Sequence, residues 1–78
     1  MSTPGVPDII GVYKGIPLFL EIKTKKGVLS EYQKIMIRCL NDAGALAGVL
    51  RSAESAQLLI SGLKNGTDIS ELRKQIQD

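Results

Sequence analysis

Between Asp8 and Thr24 the chain reads DIIGVYKGIPLFLEIKT, two apolar runs of strand-forming residues separated by a turn dipeptide. This pattern predicts a β-hairpin, with one strand from Asp8 to Tyr13, a turn at Lys14-Gly15 and a second strand from Ile16 to Thr24. Pro17 places the start of the second strand at a sheet edge or outside the ladder. The seven residues before it, MSTPGVP, are expected as a loop, and KKGVL after it as another. At Ser30 the period changes. Tyr32, Met36, Cys39 or Leu40, and Ala43 recur at three- and four-residue steps, widened by Ile35 and Ile37. That stripe predicts a helix opened by a capping box between Ser30 and Gln33 and stopped at Gly44.

ALAGVLRS, bounded by Gly44 and Ser52, predicts a third strand, parallel to a hairpin strand through the helical crossover. Ser52 then caps a second helix with apolar positions Ala56, Leu59, Ile60 and Leu63, ending at Asn65-Gly66. A last helix starts at Asp68, capped by Asp68 and Glu71, with Ile69, Leu72 and Ile76 on one face. The order β-β-α-β-α-α makes a small α/β domain with a mixed sheet, a single unit over residues 1–78.

Composition narrows the function. The chain has 78 residues, near the lower limit for one hydrophobic core, so an oligomer would cover apolar surface. There is no histidine and one cysteine, Cys39, which excludes zinc and triad chemistry and any intrachain disulfide. Cys39 lies in the helical stripe and is expected as a buried small apolar side chain. The aromatics are Tyr13, Phe19 and Tyr32, too few for binding by stacked bases. No apolar run approaches the ~20 residues of a membrane span, and no leader opens the chain, so a cytoplasmic protein is expected. The net charge is only +2, yet Lys14, Lys23, Lys25, Lys26, Lys34 and Arg38 cluster against Glu21 and Glu31. That excess is either a solvated face or a phosphate-facing patch.

Three polar residues need a joint account. Strand alternation puts Glu21 and Lys23 on one face, with Leu18, Leu20 and Ile22 on the other. A turn at Lys14-Gly15 brings Asp8 opposite Glu21, so two carboxylates and an ammonium meet at the open end of the hairpin. Two carboxylates can hold Mg²⁺, with Mn²⁺ as substitute, and the main-chain carbonyl of Ile22 can complete the set while its side chain packs into the core. Such a group suits phosphodiester hydrolysis, where a metal polarises the phosphate and the ammonium orients water or stabilises charge. Each residue also has a plainer reading. Asp8 can be a turn residue, Glu21 and Lys23 a strand-end ion pair, Gln33 a helix cap, and Lys25 and Lys26 solubilising.

GVPDIIGVYKG followed by FLEIKTKKGVLSEYQ resembles the VRR-NUC domain of the PD-(D/E)xK nuclease superfamily, over Gly5 to about Arg51. The ordered set is Pro7-Asp8, Glu21-Ile22-Lys23, Lys25-Lys26-Gly27 and Gln33. The resemblance implies Asp8 and Glu21 as metal ligands, Lys23 as the catalytic lysine and Gln33 as a supporting residue. Lys25, Lys26 and Lys34 are then expected against DNA phosphates. It also implies a restriction-endonuclease-like core, here truncated, because family members carry a helix with a further Glu and a strand ahead of the Pro-Asp. The small standalone members of the family look like Holliday-junction resolvases. The expectation is therefore a Mg²⁺- or Mn²⁺-dependent endonuclease acting on branched DNA such as four-way junctions, as a homodimer. The alternatives are a flap-type or less selective nuclease, and an inert DNA-binding or dimerisation module.

Overall fold

A computed structural model describes residues 7–78; the loop expected ahead of Pro7 lies outside the described residues. The elements are β1 (Ile9–Tyr13), β2 (Ile16–Ile22), α1 (Glu31–Asp42), β3 (Leu46–Leu50), α2 (Ala53–Asn65) and α3 (Ile69–Gln75). Their order and the mixed α/β class match the sequence reading, although Asp8, Lys23 and Thr24 fall just outside the strands. The sheet runs β1-β2-β3, with β2 antiparallel to β1 and parallel to β3. Among the described residues no helix is long and apolar enough to cross a membrane.

The hairpin closes where expected. Tyr13 pairs with Ile16 across Lys14 (φ 48°) and Gly15 (φ 83°), the two positive angles that a type I′ turn needs to match strand twist. Pro17 lies inside β2, paired with Val12, yet the start of that strand is an edge on its other side, as expected. It is tolerated there because β3 begins only opposite Leu18. Counting from the turn, Val12–Pro17 is a non-hydrogen-bonded pair, so no ladder bond needs the missing N–H.

Even-numbered β3 residues face the core. Leu20, Leu46, Leu50, Leu59, Leu72 and Ile76 form one buried cluster in which α2 and α3 pack on β3. Gly48 lies in this layer because any side chain there would collide with Ile76. Several expectations fail. Ile22 is 48% exposed rather than packed in the core, since α2 and α3 cover β3 and leave that end of β2 bare. Cys39 is exposed, and so are Tyr32 and Ile35, because α1 packs mainly on β3 and buries no residue fully. Ile60 is exposed because Leu59 takes the inward position of α2. Glu71 does not cap α3. Asp68 alone accepts from the Ser70 N–H at 2.8 Å, while Glu71 pairs with Lys74 at 3.5 Å.

The outer edge of β3 is closed by groups from the rest of the chain. Ala45 donates its N–H to Leu40 and accepts from the Arg73 guanidinium at 2.9 and 3.1 Å. Ala47 is held by the Asn41 side chain, which accepts its N–H at 2.8 Å and donates to its carbonyl at 2.9 Å. Val49 donates its N–H to the Ile76 carbonyl at 2.8 Å. An amide side chain and a chain segment thus take the place of a fourth strand.

Candidate active site

The β1–β2 register places Ile9 opposite Leu20, so Asp8 and Glu21 come next at the open end of the hairpin, as expected. Asp8 does not point away into solvent. Its Oδ2 accepts the Ile22 N–H at 2.9 Å, which ties the carboxylate to the end of β2. Glu21 is only 3% exposed, the one buried charged side chain among the described residues. Gln33 donates from Nε2 to Glu21 Oε2 at 2.8 Å, while Glu21 Oε1 is buried and has no partner among those residues.

Gln33 does two jobs. Its Oε1 accepts the Ser30 N–H at 2.9 Å, and its own N–H donates to Ser30 Oγ at 3.1 Å, the capping box read from the sequence. Its side-chain nitrogen faces Glu21. The helix cap and the contact to the buried carboxylate are therefore one arrangement rather than alternatives.

Burial raises the Glu21 carboxyl above its ordinary value, and the neighbouring Asp8 charge adds to this. Lys23, the Asp8 backbone N–H and Gln33 pull the other way without cancelling it. Lys23 is half-buried and follows Glu21 by two positions, on the same side of β2. Asp8, Glu21, Lys23 and Gln33 are thus brought together. The exposed-ion-pair reading of Glu21 does not survive, since a buried carboxylate with an orphan oxygen is a costly feature for a surface strand end.

Lys25 and Lys26 sit exposed in the loop after β2. That loop is held by Arg51, a residue that no sequence pattern singles out. Its Nη1 donates to the carbonyls of Thr24 at 2.7 Å and Gly27 at 2.6 Å, on either side of the two lysines, and its other nitrogens bond Asp78. Lys34 lies one turn into α1, but its ammonium is drawn to Glu31 at 3.3 Å. Arg51→Ala should free the 24–27 loop and cost about 1–3 kcal/mol, the scale for charged hydrogen bonds. Urea unfolding measures the cost, and faster amide exchange at Gly27 reports the loosened loop.

The chemistry does not sit in a small-molecule cleft. A groove of about 510 Å³ runs between α1, the β3 edge and the C-terminal segment, lined among others by Lys34, Arg38, Asn41 and Arg73. Asp8, Glu21 and Lys23 are not part of it. They lie at an open sheet end.

A hard divalent cation fits the donor set at this end. Glu21 Oε1 is an acceptor without a partner, Asp8 uses only Oδ2, and Ile22 turns its backbone toward the β1 side where Asp8 lies. Oxygen donors alone, two of them anionic, suit Mg²⁺ or Mn²⁺ with retained water. Among the described residues, no three His, Cys, Asp or Glu side chains gather in one place, so those residues bring two carboxylates to this end of the sheet. Comparison with protein-family models, curated proteins and solved structures returned no match.

Proposed function

We propose that this chain is a metal-dependent DNA endonuclease of the VRR-NUC type, with a restriction-endonuclease-like core, that hydrolyses phosphodiester bonds in branched DNA. The observation that carries the reading is Glu21. A carboxylate buried on a strand, oriented by Gln33, carrying an unpartnered oxygen and set beside Asp8 serves catalysis better than stability. Asp8, Glu21 and the Ile22 carbonyl would hold Mg²⁺ or Mn²⁺. The bound ion supplies Lewis acidity at the phosphate and a more acidic water. Lys23 projects from the same side of β2 as Glu21. Its ammonium orients the attacking water and offsets the charge that develops on the phosphate oxygens. Gln33 holds Glu21 in one rotamer.

The open setting suits a substrate that brings its own bulk and its own anionic surface. Lys25 and Lys26, presented by the Arg51-held loop, and Lys34 on the first turns of α1 contact backbone phosphates. The candidate contacts are all to phosphates, so the junction is recognised by shape and phosphate position. Four-way junctions are the substrate proposed, cut in the cytoplasm by a homodimer with one site per arm pair.

A second reading, an inert DNA-binding module, draws on the two-carboxylate count. Cleavage of a labelled four-way junction with Mg²⁺ or Mn²⁺, beside its linear duplex, separates the two. Lys23→Ala should lower the rate about 10²–10⁴-fold while leaving junction binding in Ca²⁺ intact. Binding without cleavage in either metal by the wild-type protein sinks the nuclease reading.

A further inference from the structure

The two edges of the sheet are chemical opposites. On β3 the outward groups of Ala45 and Ala47 and the Val49 N–H are all bonded, to Leu40, Arg73, Asn41 and Ile76. On β1 no bond from the outer edge to any described residue exists. Counting from the Tyr13–Ile16 pair that closes the turn, Gly11 and Ile9 bond inward to β2, and Ile10 and Val12 turn their N–H and carbonyl groups outward. Their side chains are 61% and 69% exposed.

We propose that β1 is a dimerisation edge, pairing antiparallel with β1 of a second copy about Gly11 to form one six-stranded sheet. This names the surface for the homodimer of the preceding reading and rests on that reading for the dimer, not for its chemistry. Charge selects the register. Outward residues must face outward residues, and of the registers that satisfy this, the one centred on Gly11 sets Asp8 of each copy opposite Lys14 of the other. It also bonds Ile10 to Val12 of the second copy twice over, and brings two glycines together where backbones approach most closely. Each copy then receives a cation at the strand end that carries Asp8 and Glu21. The capped β3 edges become the two ends of the joined sheet. Growth therefore stops at two copies instead of continuing as a fibre.

The test is the mass of the full chain by sedimentation equilibrium from micromolar to several hundred micromolar. The wild type should show twice the monomer mass. Val12→Pro removes an outward N–H that β2 does not use, and should give a monomer with an unchanged circular dichroism spectrum. Gly11→Cys in a Cys39→Ser background supplies an independent check that does not depend on Val12→Pro folding. A Cβ at Gly11 meets no atom, and the proposed pairing sets the two Cα atoms about 4.5 Å apart, within disulfide reach. Mild oxidation should convert it to a cross-linked dimer of native fold. A wild-type monomer throughout the range, or a dimer that resists Val12→Pro and fails to cross-link at Gly11, overturns the proposal. Junction cleavage assayed on the same samples keeps the two claims apart. A β1 dimer that cuts nothing retains the interface and sinks the nuclease, and a monomer that cuts does the reverse.

Discussion

Glu21→Gln should make the metal-free protein more stable while removing the proposed nuclease activity. The sign follows from where the proton sits. Burial and the Asp8 charge raise the folded-state value of Glu21 above the unfolded one, so the unfolded chain gives up its proton first as pH rises. Wild-type stability in EDTA should therefore fall as pH climbs from the ordinary carboxylate range through the raised value. Below that window both states hold the proton and the residue contributes nothing. The glutamine side chain of the variant carries no charge, keeps an oxygen for Gln33 and should remove this slope. The expected gain above the window is on the order of 1 kcal/mol, as for other buried charges replaced by neutral groups. Urea titrations of both proteins across pH, with chelator, measure the difference. Junction cleavage should drop by about 10³-fold or more, equivalent to several kcal/mol of lost Lewis-acid stabilisation. Parallel stability curves would mean that Glu21 is not held above its ordinary value, and undiminished cleavage would remove it from the site.

Asn41→Ala should be the most damaging substitution outside the hydrophobic core. Ala47 is 1% exposed, and both of its outward backbone groups depend on the Asn41 amide. Leaving a buried donor and a buried acceptor unpaired costs about 1–3 kcal/mol each, a large fraction of what a domain of this size has. Asn41→Asp separates shape from bonding, because a carboxylate can accept from the Ala47 N–H but cannot donate to its carbonyl. It should fall between wild type and alanine near neutral pH. The alanine variant should also aggregate on storage at concentrations where the wild type stays clear, since it exposes a strand edge that is otherwise closed. Light scattering beside urea unfolding reads both effects. An alanine variant as stable as wild type would show that water replaces the amide at no cost.

What could be read from the chain depended on the range of the interaction. The hairpin register was legible because Lys14-Gly15 is a local turn signal, and the register alone carries Asp8 to Glu21. The capping box at Ser30 and Gln33 was legible for the same reason. The second role of Gln33 was only an implication of family likeness, since nothing near it in sequence shows that α1 starts beside Glu21. The stripe Tyr32, Ile35, Cys39 reads as core at helical period, yet it faces away from the sheet. Periodicity reports an apolar face and does not say whether another element covers it. Arg51, Asn41 and Arg73 were missed altogether. They act through bonds from side chain to backbone, the Arg51 and Arg73 bonds reaching carbonyls 24 to 28 residues distant, and such bonds leave no pattern in a single sequence.

The amide of Gln33 also determines which atom of Glu21 can take a proton. Its oxygen is committed to the Ser30 N–H, so its nitrogen must face Glu21 Oε2, and that oxygen must remain an acceptor. A proton on the carboxyl is therefore confined to Oε1, the same atom that is free to ligate a cation. A divalent ion bound there as proposed would compete strictly with the proton for a single lone-pair site. Below the pH at which Glu21 titrates, each ion bound should release close to one proton. The apparent affinity should then rise about tenfold per pH unit below that point and level off above it.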